Sequence, residues 1–288
     1  MSMLYWLSAL DLPKIPIGKW VEAIEKWLEG NAGPVFQGIK AFIGTIVNGL
    51  ADGFNAVPPL LLIVLFTGLA YWIGRTRIAV FTLLGLYLVY NLGYWENTME
   101  TLALVLTASI ISIVIGIPLG IACARSDKVQ KVVTPVLDFM QTMPAFVYLL
   151  PAVAFFSLGV VPGVIASVIF GIPPTIRLTN LGIRQVPADL VEAADAFGST
   201  PLQKLFKLQL PIAAPTIMAG VNQTIMLSLS MVVIASMIGA QGVGADVYRA
   251  VTQAKTGVGF EAGLAVVVLA IILDRITQNL VKTKRKGL

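Results

Sequence analysis

The chain has 288 residues, of which 57% are hydrophobic and only 12% charged, with a mean hydropathy of +0.86. This composition excludes a single soluble domain and points to an all-α, polytopic membrane protein. One cysteine (Cys123) and no histidine exclude a disulfide framework and leave no basis for a His/Cys metal site. The net charge of +5 would suggest nucleic acid for a soluble protein; here the distribution of Lys and Arg matters more than their sum, and no nucleic-acid partner is expected.

In chain order, residues 1–56 form an N-terminal region. Asp11, Lys14 and Lys19 interrupt it before any apolar core forms, so no cleavable signal peptide is expected. Trp6, Trp20 and Trp27 lie among charges, a pattern that suits the headgroup level of a membrane. Within residues 34–55, Phe36, Ile39, Ile43, Ile46, Val47, Leu50 and Phe54 share one helical stripe, which predicts an amphipathic interfacial helix. A spanning helix is the alternative reading of that segment. Two accessory spans are expected within 57–95, at about 57–74 and 78–95, the first closed by Arg75 and Arg77 and the second by Tyr94 and Trp95. Further apolar segments follow at about 98–124, 135–158, 160–181, 212–239 and 259–281, for a total of about seven spans.

Alternate loops differ in positive charge. One set holds Arg75, Arg77, Arg125, Lys128, Lys131, Arg184, Lys204, Lys207, Lys282, Lys284, Arg285 and Lys286, and the opposite set beyond the N-terminal tail holds Arg249 and Lys255. The first set is therefore expected on the cytoplasmic side, together with the C-terminus and its basic tail 282–288, with the N-terminus outside.

A polar island interrupts the apolar runs at residues 187–215. Pro187 reads as a first-turn residue of a helix through Leu190 to Ala194, which Gly198 can end in a left-handed cap. Thr200, Pro201 and Gln203 then read as the N-cap, first-turn proline and capping-box partner of a second helix, which Pro211 and Pro215 are expected to end. Glu192-Ala193-Ala194, Gly198, Leu210-Pro211 and Pro215 are in the register of the EAA-loop signature, and this loop resembles that of permease subunits of binding-protein-dependent ABC importers. Residues 96–281 resemble the five-helix core of type I importer permeases. Gly171–Ala194 and Asp138–Pro151 resemble the permeases for glycine betaine, proline betaine, carnitine and choline in particular.

The resemblance implies a division of labour. The loop 187–215, with Glu192, Ala193, Ala194, Asp195, Gly198, Leu210 and Pro211, would dock on a separate cytoplasmic ATPase subunit as a coupling helix. ATP and Mg would be bound there, with no cofactor on this chain, which lacks the Gly-x4-Gly-Lys-Ser/Thr phosphate loop. The other implied partners are an extracytoplasmic solute-binding protein and a second copy of this chain, in a bacterial cytoplasmic membrane. The implied solutes are quaternary or trimethylated ammonium compounds; another small solute such as an amino acid or sulfonate is the runner-up. A methylated ammonium has no N–H donors, so aromatic faces are its natural partners. Phe139, Met143, Pro144, Phe146, Tyr148 and Pro173 are therefore candidates for a translocation path, the prolines because broken helices are tolerated around protein-lined cavities. Phe155 and Phe156 fall on the same segment. Among charges near the ends of apolar runs, Asp274 and Arg275 read as snorkelling residues, and Arg177 is a candidate organiser of the base of the loop. A secondary transporter would require inverted repeats and a mid-membrane ion-binding carboxylate, and the sequence shows neither.

Overall fold

The computed structural model describes residues 16–284, with side chains to Asn279, so the segment 1–15 and the side chains of the basic tail 282–288 lie outside the described residues. The described residues are helical almost throughout. Helix α1 (Ile17–Ala56) runs 40 residues, and the amphipathic segment expected at 34–55 is its packed half. Ile43 and Val47 are buried, and Phe36, Leu50 and Phe54 pack on the core beside them. Phe36 stacks on Phe155 at 4.5 Å and meets Phe156 edge-on at 5.8 Å. Those two phenylalanines therefore help to pack α1 on the bundle. Trp20, Trp27 and Phe42 remain exposed on the other side.

The two accessory spans are two helical arms joined across a kink, together α2 (Pro59–Asn91), with the break where the sequence places it. Its arms meet at Arg75, whose backbone is not helical (φ 62°, ψ −166°). Trp95 does not close a span. It opens helix α3 (Trp95–Arg125) and is buried there.

The expected span 135–158 is also not a single rod. Helix α4 (Asp127–Thr142) is followed by a 3-10 turn (Ala145–Tyr148) and helix α5 (Leu149–Phe156), and the two halves are bent by 108°. Pro144 supplies the reason: it lacks a backbone donor and forces Met143 into an extended conformation (φ −70°, ψ 138°). The remaining elements are α6 (Val160–Arg184), α7 (Ala188–Ala196), α8 (Pro201–Lys204), α9 (Leu210–Ser236), α10 (Val243–Thr252) and α11 (Thr256–Lys284). Among the described residues five helices are long and apolar enough to cross a membrane, or six with the bent pair counted as one span. This count takes the two arms of α2, which meet at the Arg75 kink, as one helix.

The centre of the fold is the trio α3, α6 and α9. In a lipid solvent helices gain little from burying apolar surface against one another, so close backbone approach carries more of the packing. A Cβ on Gly120 of α3 would stand 2.6 Å from Cβ of Thr179 and 2.8 Å from the Ile176 carbonyl of α6. Only glycine fits there. Between α6 and α9, the Thr175 hydroxyl lies 2.7 Å from that of Thr224, and Thr224 donates to the Gly171 carbonyl at 2.6 Å. At the end of the bundle away from the polar island, the Val243 N–H donates to Thr101 Oγ1 at 2.9 Å, and Asn97 donates to the Asp246 carboxylate.

Candidate functional site

The polar island folds into two short helices joined by a tight turn. Pro187 is the N-cap of α7 rather than a residue of its first turn, one position earlier than its sequence reading. At the other end Gly198 adopts φ +73°. The Gly198 N–H donates to Asp195 O at 2.9 Å and the Ser199 N–H to Ala194 O at 3.0 Å. This is the Schellman pattern, which satisfies the last carbonyls of the helix. Thr200 then caps α8 in a complete capping box: Gln203 N–H donates to Thr200 Oγ1 at 3.3 Å, and Thr200 N–H donates to Gln203 Oε1 at 2.9 Å.

Pro211 and Pro215 do not end the second helix. The helix continues from Pro201 through Ser236, and the strain of Pro211 is taken up by a widened turn at Leu205–Gln209, in which the Leu210 N–H reaches back to Leu205 O. Such a turn relieves the clash that a proline ring makes with the carbonyl four residues earlier. The second helix of the island is thus continuous with a long core helix.

Glu192, Ala193 and Asp195 are exposed on α7, and Ala194 is half-buried. Among the described residues Glu192 has no hydrogen-bond or ion-pair partner. Asp195 is held instead: Lys204 Nζ lies 2.7 and 2.8 Å from its two carboxylate oxygens, so the two helices are stitched to each other. Leu210 packs inward in a cluster with Ile183, Leu205 and Ala213, whereas Pro211 faces out. Phe197, directly before the glycine cap, is 92% exposed, and Leu202 and Phe206 are exposed beside it. Phe197 thus projects from a doubly capped turn.

The base of the island is fixed by arginines. Arg184, the last residue of α6, donates to the Cys123 carbonyl at 2.9 Å and to Asp127 Oδ1 at 2.6 Å, with its Nε on Asn180 Oδ1 at 2.9 Å. Arg125 donates to the Pro201 carbonyl at 3.0 Å. A hollow of about 300 Å³, walled by Ala124, Val186, Val191, Glu192 and Gln209 among others, lies between the island and the end of α3. Arg177 pairs with Asp138 of α4 at 2.5 Å rather than with the island itself.

The candidate path residues fall in two groups. Phe139, Pro144 and Phe146 are exposed at the bend, with Met143 half-buried between them. Tyr148 and Pro173 are buried: Tyr148 packs with Leu149, Ala166 and Met231 and donates its hydroxyl to the Met140 carbonyl, bridging the bend. Asp274 does not simply snorkel, since Asn222 of α9 donates to it at 2.8 Å and Gln278 at 2.6 Å.

Sequence reasoning passed over Phe197, Lys204, Arg125 and Arg184 as site residues. Phe197 carries a readable signal, an aromatic directly before a capping glycine in a polar stretch. The other three read only as loop charge, because their partners are distant in sequence or across a turn.

The family model described as binding-protein-dependent transport system inner membrane component matches residues 116–286. The chain is 58% identical over 277 residues to the glycine betaine transport system permease protein OpuAB of Bacillus subtilis, covering 96% of this chain and 98% of that protein. It is 55% identical over 272 residues to the glycine betaine/carnitine transport permease protein GbuB of Listeria monocytogenes, covering 93% of this chain and 96% of that protein. To the glycine betaine/proline betaine transport system permease protein ProW of Escherichia coli it is 49% identical over 271 residues, covering 94% of this chain and 77% of that protein. A solved structure of the MetNI methionine ABC transporter in an inward-facing conformation shares the fold, with a TM-score of 0.59 at 21% identity over 64% of this chain and 92% of that one.

Proposed function

Because this chain belongs to the family of binding-protein-dependent transport system inner membrane components, we propose that it is the membrane subunit of an ATP-driven importer for glycine betaine and related quaternary or trimethylated ammonium solutes. Its relatives at 49 to 58% identity carry such names. The observation that carries the drive mechanism is the capped island itself, which presents an exposed Glu192 and a 92% exposed Phe197 on a turn continuous with a core helix. That surface fits the cleft of a separate ATPase subunit, where ATP and Mg are held. A second copy of this chain supplies a second island for a pair of ATPases, and a solute-binding protein delivers the cargo from the far side of a bacterial cytoplasmic membrane. The island and the C-terminus then face the cytoplasm and the N-terminus lies outside.

In this reading ATP-driven closure of the ATPases draws the two islands together and shifts the cores between inward-open and outward-open states. The loop must therefore make different contacts in the two states. The residues at the bend, Phe139, Met143, Pro144 and Phe146, line the path, where aromatic faces attract a methylated ammonium without the tight binding that would trap it.

The test is uptake of labelled glycine betaine into proteoliposomes holding the complete complex and binding protein. The wild type takes up solute only with ATP. Glu192→Lys inserts into the membrane, hydrolysis continues on the ATPase, and uptake is lost. Normal uptake by Glu192→Lys sinks the coupling role, and absence of ATP-dependent uptake of any trimethylammonium solute by the wild type sinks the substrate class.

A further inference from the structure

Helix α4 is poorly anchored by packing. Of its 16 residues only Leu137 is buried, seated with Cys123, Ile172 and Ile176. Yet it connects two functional regions: its start adjoins the base of the island, and its end is the bend at Met143–Pro144. Val129, Val133 and Met140 pack only partly buried on that small cluster, and charge adds two further fastenings to α6. Arg184 holds Asp127 in its first turn at 2.6 Å, and Arg177 holds Asp138 near its last turn at 2.5 Å. The pairing is antiparallel, since the later arginine takes the earlier aspartate. The two ties are separated by roughly 16 Å along α4 and roughly 10 Å along α6, at the helical rise per residue. With one tie, the angle of α4 would rest on the small Leu137 cluster and the Tyr148–Met140 bond. Two ties at different heights fix both its position and its angle.

We propose that Arg177–Asp138 and Arg184–Asp127 are positioning pairs that strap α4 to α6, so that a displacement of the island reaches the bend at Met143–Pro144 as a rigid-body movement. The proposal rests on the island being the surface an ATPase drives. Arg184 is well placed for this role because α6 ends on it and the island begins three residues later at Pro187. The same guanidinium grips the α3 terminus through the Cys123 carbonyl, and Asn180 holds its Nε in place. At the far tie, Asp138 stands next to Phe139 and six residues before Pro144, so movement of α6 is delivered directly to the exposed residues of the bend.

The experiment uses the complete complex with its ATPase and binding protein in proteoliposomes, and reads solute transported per ATP hydrolysed. Arg177→Gln and Asp138→Asn each lower that ratio about fivefold, the size that a partly exposed pair can supply, while solute-stimulated hydrolysis persists. The charge exchange Arg177→Asp with Asp138→Arg restores most of the ratio. A second arm does not depend on how well those variants assemble: in a Cys123→Ala background, Arg177→Cys and Asp138→Cys are bridged with a short bis-maleimide. Covalent bridging replaces the tie, so transport per ATP stays near that of the wild type. An unchanged ratio in the single variants, or loss of transport on bridging, overturns the strap. Failure of the wild type to transport would refute the proposed function instead, which keeps the two failures distinct.

Discussion

Lys204 reaches back across the Gly198 turn to Asp195, placing its Nζ 2.7 and 2.8 Å from both carboxylate oxygens. The contact joins residues of two different short helices, so the angle between α7 and α8 is set by an ion pair as well as by the backbone caps. Lys204 is 22% exposed and Asp195 53% exposed, which limits the pair to less than about 1 kcal/mol. Asp195→Asn and Lys204→Met should each weaken ATPase binding by no more than about fivefold, and the double variant should be no worse than either single one. A cycle of binding measurements with the purified ATPase checks this; additive losses would show that the two side chains act independently.

Phe197 is 92% exposed, so Phe197→Ala should leave thermal stability within about 0.5 kcal/mol of the wild type. An exposed aromatic anchor is worth about 2 kcal/mol at the centre of an interface, or roughly thirtyfold in affinity. ATPase affinity should therefore fall while the melting temperature holds. A parallel fall in both would mean that Phe197 packs within the fold.

Gly198 has open space where a Cβ would stand but a φ of +73°. The cost of Gly198→Ala is therefore conformational, about 1 kcal/mol for a left-handed residue, and local to the turn. Limited proteolysis should find the Phe197–Ser199 segment cleaved faster, with global melting little moved. Gly198→Asn should lie between the two, because asparagine tolerates this region better than alanine.

Gly120 presents the opposite case. A Cβ there would stand 2.8 Å from the Ile176 carbonyl, whereas nothing lies within 4 Å of Gly53 on α1. Gly120→Ala should destabilise the α3–α6 contact by about 1 to 3 kcal/mol despite the better helix propensity of alanine. Gly53→Ala should be neutral or stabilising by up to about 1 kcal/mol. Melting in detergent distinguishes them, and equal effects would refute the close-packed seam.

The parts legible in sequence were those whose physics is local. Thr200 with Gln203, and Gly198 at the end of a helical run, are signals contained within a few residues, and the structure shows both caps. The bend was less legible: Pro144 marks a break, but whether a proline kinks a span or turns it by 108° depends on what packs around it. Pro211 misled because a widened turn upstream absorbs its clash, and nothing in the residues of that turn announces this. The ties were least legible. Asp138 and Arg177 stand 39 positions apart, and an arginine at the end of an apolar run is already accounted for by the side of the membrane it faces.

The bond from the Val243 N–H to Thr101 Oγ1 joins positions 142 residues apart, and this has a consequence for biosynthesis. At a ribosomal rate of about 5–20 residues per second, α3 is in the membrane on the order of ten seconds before its last neighbour is made. The α3, α6 and α9 faces can pair with one another within that interval, but Thr101 must wait for the Val243 N–H. The order of manufacture therefore makes the final hairpin, Val243 onward, the step that closes the bundle. A chain cut short before it should be inserted yet remain a substrate for membrane quality-control proteases.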